Sequence, residues 1–272
     1  MTLQTEKHAG TQVYITTAQP VVSVVMAARD AEETIRASIE SVTRQTYPDW
    51  ELIIIDDSSW DTTPQIIGEA IENDPRIRVH ENIRILGVAK SRNIGIELAR
   101  GEWVAFLDSD DLWREDKLEK QLTFMAETGA AISYTGTAYI DEENNPSEYV
   151  LRAERELTYP ELLRKNLMSC SSVMVRRDIM ERTGFASDDM SEDYAAWMQI
   201  VSEVGCAYGL DEPLLVYRMS GTSKSSGRYR SGVMTYRAYR HVGYEKLPAF
   251  ALTARYALHS ITKRFLIGMG RT

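Results

Sequence analysis

The chain has 272 residues, 43% hydrophobic and 26% charged, enough to bury one large α/β core without disulfide or metal staples. Its two cysteines, Cys170 and Cys206, exclude a framework of bridges and a Cys-x-x-Cys metal pair, and point to a reducing compartment. The net charge of −9 is unevenly spread: residues 1–217 hold 20 Lys+Arg against 39 Asp+Glu, whereas residues 218–272 hold 11 against the single Glu245. So acidic a body argues against a nucleic-acid partner, and the basic tail suits an anionic one.

Residues 1–19 read as an N-terminal extension without the apolar run of a signal peptide, and no later stretch reaches the roughly 18 apolar residues of a membrane span. A cytoplasmic protein is the expectation. PVVSVVMAA (20–28) is an apolar β-branched run of the kind found in buried parallel strands, and AEETIRASIESVTRQ (31–45) repeats Ile35, Ile39 and Val42 at helical spacing. ELIIID (51–56), TTPQIIGEAIEN (62–73), RIRVHE (76–81), GVAKSRNIGIELARG (87–101) and EWVAFLD (102–108) continue the alternation, with Pro64 in a first turn and Gly101 closing the last helix. Four strands alternating with three helices in about 90 residues predict a parallel sheet covered on both faces.

Beyond Trp113 the pattern loosens. A helix is predicted over 114–129, a strand over 130–140, a turn over 141–148, a strand over 169–177 and a helix over 191–205 with Ser191 as N-cap. No linker interrupts the chain before about residue 218, which makes 20–217 one domain and 218–272 a basic C-terminal segment.

The chemistry gathers at two strand ends. Asp56 and Asp57 end one strand, and Asp108, Ser109, Asp110 and Asp111 end another, so both clusters should face the crevice where open α/β sheets bind ligands. Carboxylates a few ångströms apart repel in a low dielectric, so the second cluster calls for a cation. Asp108 and Asp110 suit Mg²⁺ or Mn²⁺, which take a few carboxylates together with substrate phosphates, and the four scattered histidines argue against zinc. No GxxxxGK[ST] occurs, which disfavours a Walker-type nucleotidase. Lys90 and Arg92, at the front of 87–101, are either anion contacts or solvated helix residues, the bland reading being the simpler for Arg92. Glu192 and Asp193, by position alone, are first-turn carboxylates that offset the helix dipole.

VSVVMAARDAEETIRASIESVTRQTYPDWELIIIDDSSWDTT, followed by GVAKSRNIGIELARGEWVAFLDSDDLW, resembles glycosyltransferase family 2 over about residues 20–220. The resemblance implies the GT-A fold, a Rossmann-like and mostly parallel sheet flanked by helices, and an inverting, nucleotide-sugar-dependent transfer. It implies that Asp57 contacts the uracil edge of a UDP-sugar with Asp56 supporting the loop, that Asp108 lies near the ribose and metal, and that Asp110 is the metal ligand. SEDYAAW resembles the family's Glu-Asp motif, which makes Asp193, beside Glu192, the base that deprotonates the acceptor. LVYRMSGTSKS is similar to the closing segment of non-processive members, with Arg218 as a diphosphate contact from a mobile loop. Many members carry polar residues at the positions of Ala27 and Ala28, so base contacts here fall to the backbone of Ala27 or to Arg29 and Asp30; Lys90 and Ser109 complete the expected donor set. The QxxRW of processive members is absent, so a single-sugar transfer is expected.

Phe250, Ala254, Leu258, Ile261 and Phe265 form a stripe along a C-terminal helix with Arg255, His259 and Lys263 opposite, fit either for an anionic membrane surface or for docking on the body. By family analogy the acceptor would be a saccharide, such as a lipid-diphosphate-linked glycan of O-antigen or capsule assembly at the inner face of the membrane. A sugar nucleotidyltransferase, which would need a Gly-rich loop where the chain reads AARDAEE, and a non-catalytic carbohydrate or membrane scaffold stand as alternatives.

Overall fold

A computed structural model describes residues 3–8, 11–16, 20–219 and 228–269, with side chains over 20–219 and 230–257. Strands β1 (Leu3–His8) and β2 (Thr11–Thr16) pair antiparallel in a sheet of their own. The main sheet starts with β3 (Val22–Ala28), followed by α1 (Ile35–Thr43), β4 (Trp50–Asp56), α2 (Thr63–Asn73), β5 (Ile77–Glu81), α3 (Val88–Leu98) and β6 (Trp103–Phe106) in the predicted alternation. β3 pairs in parallel with β4 and β6, and β4 with β5. Successive side chains of a strand point to opposite faces, and both faces here are covered. Val25, Ile53 and Ile55 meet α3 on one side, and Met26, Leu52 and Ile54 meet α1 and α2 on the other. That is why these strands lack polar alternation.

The chain then forms β7 (Leu112–Trp113), α4 (Lys117–Thr128), β8 (Ile132–Ile140), β9 (Pro146–Leu151), β10 (Glu156–Thr158), α5 (Tyr159–Leu162), β11 (Met174–Arg176), α6 (Arg177–Thr183), α7 (Glu192–Val204), β12 (Cys206–Arg218), α8 (Arg228–His241) and α9 (Lys246–Met269). The strand order is β10-β12-β8-β11-β6-β3-β4-β5. β11 runs antiparallel to both β6 and β8, so the sheet is parallel from β6 to β5 and mixed beyond.

Four local expectations change. The predicted turn over 141–148 is shorter: Asp141 Oδ1 takes the Asn145 N–H at 2.8 Å, Asn144 turns at φ 68°, and residues from Pro146 onward return as β9 along β8. Within 169–177 only Met174–Arg176 is strand, because Ser169, Cys170 and Ser172 close a 3₁₀ turn through the Ser172 N–H and Oγ bonds to Ser169 O. β12 was hidden by GLDEP, where the register against β8 shifts between Leu210, Pro213 and Leu215. Gly101 does not cap α3, which ends at Leu98; a Cβ there would lie 2.7 Å from the Ser23 nitrogen and 2.9 Å from the Val21 carbonyl, so this glycine admits close approach of β3.

Candidate active site

The sheet's C-terminal edge is built around the turn after β6. Leu107 still donates its N–H to Val25 O, but the Asp108 N–H turns away to Ser171 Oγ at 3.0 Å, and the Asp111 N–H returns to Asp108 O at 3.2 Å. Asp111 is buried beneath the turn, where it accepts the Ser171 hydroxyl at 2.6 Å and the Arg218 N–H at 3.1 Å. Burial, then Asp110 and Asp108, push its carboxyl well above the usual range. Asp111 is therefore a strut, whereas Asp108 and Asp110 are only half-buried. Asp110 is raised to about 6 by burial and by the neighbouring Asp108.

Two arginines, Arg92 and Arg218, are positive partners of this turn, and Arg92 bonds Asp108 directly. It is 5% exposed, a correction to its reading as a solvated helix residue, because it shares the buried face of α3 with Ala89 and Ile96. Its Nη2 meets Asp108 Oδ1 at 2.5 Å and its Nη1 meets Glu192 Oε1 at 3.0 Å. Burial alone would favour losing the proton, but Asp108 and the other nearby carboxylates hold the guanidinium charged.

At the ends of β3 and β4, Ala27 is half-buried and Arg29 is exposed just beyond it, 3.5 Å from Asp30. Asp56 takes the Ser59 hydroxyl at 2.5 Å. Asp57 accepts Asn82 Nδ2 and the Leu86 and Gly87 N–H groups, each at 2.8 Å. Burial would raise its carboxyl, yet these donors together hold it below the ordinary value. The aspartate expected at the uracil edge thus also clamps the loop that leads into α3. Lys90 is exposed in the first turn of α3, and Ser109 O accepts the Ser38 hydroxyl at 2.9 Å.

On the opposite side, α7 opens after Ser191, which makes no side-chain cap bond. Glu192 is buried against Arg92, whereas Asp193 accepts the Tyr194 N–H at 2.7 Å and is lifted to about 6 by burial, then by Glu192. Arg218, 8% exposed, braces the turn: Nε donates to Asp110 O at 3.1 Å and Nη1 to Asn144 Oδ1 at 2.8 Å. The segment 220–227 that follows it lies outside the described residues, and with it the remainder of the expected closing loop.

The fold therefore joins Asp108, Asp110, Glu192 and Asp193 around Arg92. Ser171 is the supporting residue that spacing does not reveal, and the supporting roles of Asp111 and Arg92 emerge only from their contacts. Among the described residues no three His, Cys, Asp or Glu gather to hold a metal ion. The chain offers Asp108 and Asp110, hard oxygen donors whose mutual repulsion suits a divalent cation that draws its other ligands from phosphate and water.

Residues 23–184 match Glycosyl transferase family 2. A Bacillus subtilis protein named as a teichuronic acid biosynthesis glycosyltransferase, TuaG, is 35% identical over 249 residues, covering 90% of this chain and 98% of the relative. The chain belongs to glycosyl transferase family 2. Another relative, the Escherichia coli UDP-Glc:alpha-D-GlcNAc-diphosphoundecaprenol beta-1,3-glucosyltransferase WfgD, is 34% identical over 77% of this chain and 81% of its own length. Among solved structures, S. aureus TarS in complex with UDP-GlcNAc shares the fold at TM-score 0.67 and 18% identity, over 90% of this chain and 72% of that one. The mannosyltransferase PcManGT of Pyrobaculum calidifontis, in complex with GDP-Man and Mn²⁺, does so at 0.66 and 18%, over 93% and 74%. The architecture is the GT-A fold that the family resemblance implies, and the enzyme is a glycosyltransferase.

Proposed function

We propose that this enzyme moves one sugar from a UDP-sugar, with inversion, to a hydroxyl of a lipid-diphosphate-linked saccharide. The observation that carries the reading is the junction at Arg92, where the acidic turn after β6 meets the Glu192-Asp193 start of α7. In this scheme the ends of β3 and β4 hold the nucleotide through Ala27, Arg29, Asp56 and Asp57, with Lys90, Ser109 and Arg218 toward the diphosphate. Asp108 and Asp110 would hold Mn²⁺ or Mg²⁺, and the cation would neutralise charge that develops on the departing diphosphate. The acceptor oxygen forms its bond to the anomeric carbon as the bond from that carbon to the phosphate oxygen breaks. Its proton passes to Asp193, which burial has made basic enough to take it near neutral pH. One displacement inverts the configuration.

Two relatives of 34% and 31% identity carry names specifying UDP-Glc and a diphosphoundecaprenol-linked acceptor, which supports the donor and acceptor classes. A peripheral position at the cytoplasmic face of a membrane fits α9. Ala249 is buried and the Tyr256 ring lies 5.4 Å from Tyr194 of α7, while Leu247 is 82% and Phe250 67% exposed on the outer side. With 11 Lys+Arg and one Glu after residue 217, the tail would turn toward anionic lipid and the acidic body away. No helix among the described residues is long and apolar enough to cross a bilayer.

The test is turnover of UDP-, GDP- and dTDP-sugars with Mn²⁺, Mg²⁺ or EDTA, with and without a lipid-diphosphate-linked saccharide. Release of UDP that requires metal and is lost in Asp110→Asn and Asp193→Asn is the expected result. Pyrophosphate release would instead establish a nucleotidyltransferase, and binding without turnover a scaffold. Binding to phosphatidylcholine vesicles that rises with added phosphatidylglycerol, and falls in Leu247→Glu/Phe250→Glu, is expected of the tail; binding indifferent to both changes removes its membrane role.

A further inference from the structure

We propose that Arg92 is a positioning residue for the acceptor base: it fixes the start of α7, and through it Asp193, against the Asp108 turn. The proposal rests on the reading of Asp193 as the base. Arg92 uses two nitrogens of one planar fork for carboxylates on two elements, Asp108 after β6 at 2.5 Å and Glu192 in the first turn of α7 at 3.0 Å. A lysine, with one point charge, cannot reproduce that geometry. The guanidinium side chain is 6% exposed, so the pair is poorly screened and its geometry is enforced.

The surroundings keep it in place. Phe185 lies beneath the guanidinium at 5.3 Å and meets Phe106 edge-on at 5.1 Å and Trp197 at 5.9 Å. The same helix ties the approach to α7 at two further points. Asn93 exchanges 2.8 Å bonds with both the carbonyl and the N–H of Phe185, and the Ala89 N–H donates to Asp188 at 3.0 Å. Ser191 provides no side-chain cap, so the first turn of α7 is held from its side chains by the Arg92–Glu192 pair on one side and by the Tyr194 hydroxyl, which donates to Leu162 O, on the other. Asp193 is the next residue, so displacement of Glu192 displaces the base. A shift near 1 Å at a reacting group costs about 100-fold in rate, which makes the pair visible in kcat.

In the full-length enzyme, Arg92→Lys, Glu192→Gln and the double variant would be compared by kcat at saturating donor and acceptor, by calorimetric affinity for UDP with Mn²⁺, and by thermal midpoint. Glu192→Gln should lower kcat at least about tenfold with UDP affinity within about threefold, because Glu192 is on the acceptor side. The double variant should fall no more than about threefold below Arg92→Lys, the signature of two groups acting as one. Multiplicative losses, or losses that vanish once corrected for folded protein, overturn the proposal. Should Arg92→Lys fail to fold, Asn93→Ala removes a neighbouring tether without a charge; about a three- to tenfold loss in kcat at unchanged UDP affinity supports the proposal, and an unchanged kcat refutes it. Wild-type silence in the same assay sinks the glycosyl-transfer reading itself, whereas an active wild type with independent variants sinks only the role of Arg92.

Discussion

The sharpest consequence of the site concerns acid. Asp193 lies near 6 instead of at the ordinary 3.8 because burial and Glu192 disfavour its charge. A base must be unprotonated, so kcat/KM, which reports the groups of the free enzyme, should be nearly full at pH 7, half-maximal near 6, and about a tenth at pH 5. A carboxylate at its ordinary value would keep about nine-tenths of its activity at pH 5. The sign can be tested twice. Glu192→Gln removes a neighbouring negative charge, so the acid limb should move to lower pH by roughly half a unit to one unit, even as the plateau falls. The assay is kcat/KM from UDP release between pH 4.5 and 8, with UDP affinity measured separately so that protonation of Asp110 is not mistaken for that of Asp193. An acid limb near 4 in the wild type, or a limb that moves upward in Glu192→Gln, would refute the assignment of Asp193 as a buried base.

Two further outcomes follow from buried polar groups. Ser171→Ala removes the hydroxyl that binds both Asp111 and the Asp108 N–H, and should cost about 1–3 kcal/mol in denaturant unfolding together with weaker UDP binding; a variant equal to wild type in both would show that the turn needs no such support. Lys117 is fully buried, bonded to Gln121 at 2.6 Å and 4.2 Å from the Trp113 ring, and burial lowers its amine from 10.5 to about 7. Between those values the unfolded chain binds the extra proton, so folding stability should rise with pH, by on the order of 2 kcal/mol from pH 7 to 9. The difference between wild type and Lys117→Met over that range isolates the contribution, and two parallel curves would refute it.

The first half of the fold is plain in the sequence because buried parallel strands and their covering helices have distinct lengths and periods. Apart from Ser23 and Glu51, which bond each other, Val22–Ala28 and Trp50–Asp56 are apolar on both faces until Asp56, where β4 stops. The second half is less legible. β12 contains Asp211, Glu212 and Pro213 at a register shift, so its centre reads as a turn, and the serines of 169–172 make a 3₁₀ turn that passes for the start of a strand. In the site, motif and place in the chain single out Asp108, Asp110 and Asp193, and mark Arg92 as either an anion contact or a solvated residue. Which anions Arg92 meets is not legible, since its partners lie 16 and 100 residues away and only the folded sheet brings them to one point. Asp111 reads as one more charge in the cluster, and the hydroxyl it accepts, that of Ser171, lies 60 residues away.

A set of tyrosines joins α7 to the two C-terminal helices. Tyr194 donates to Leu162 O at 2.6 Å, shares a 3.0 Å hydroxyl contact with Tyr239 of α8, and stacks near Tyr256 of α9. The residue that follows Asp193 is thus one wall of the seat for the C-terminal helices. A tail borrowed from a relative would not be a cartridge that clips onto a finished catalytic body; it would bring new neighbours to Tyr194, and the new seat would be felt one residue away, at Asp193.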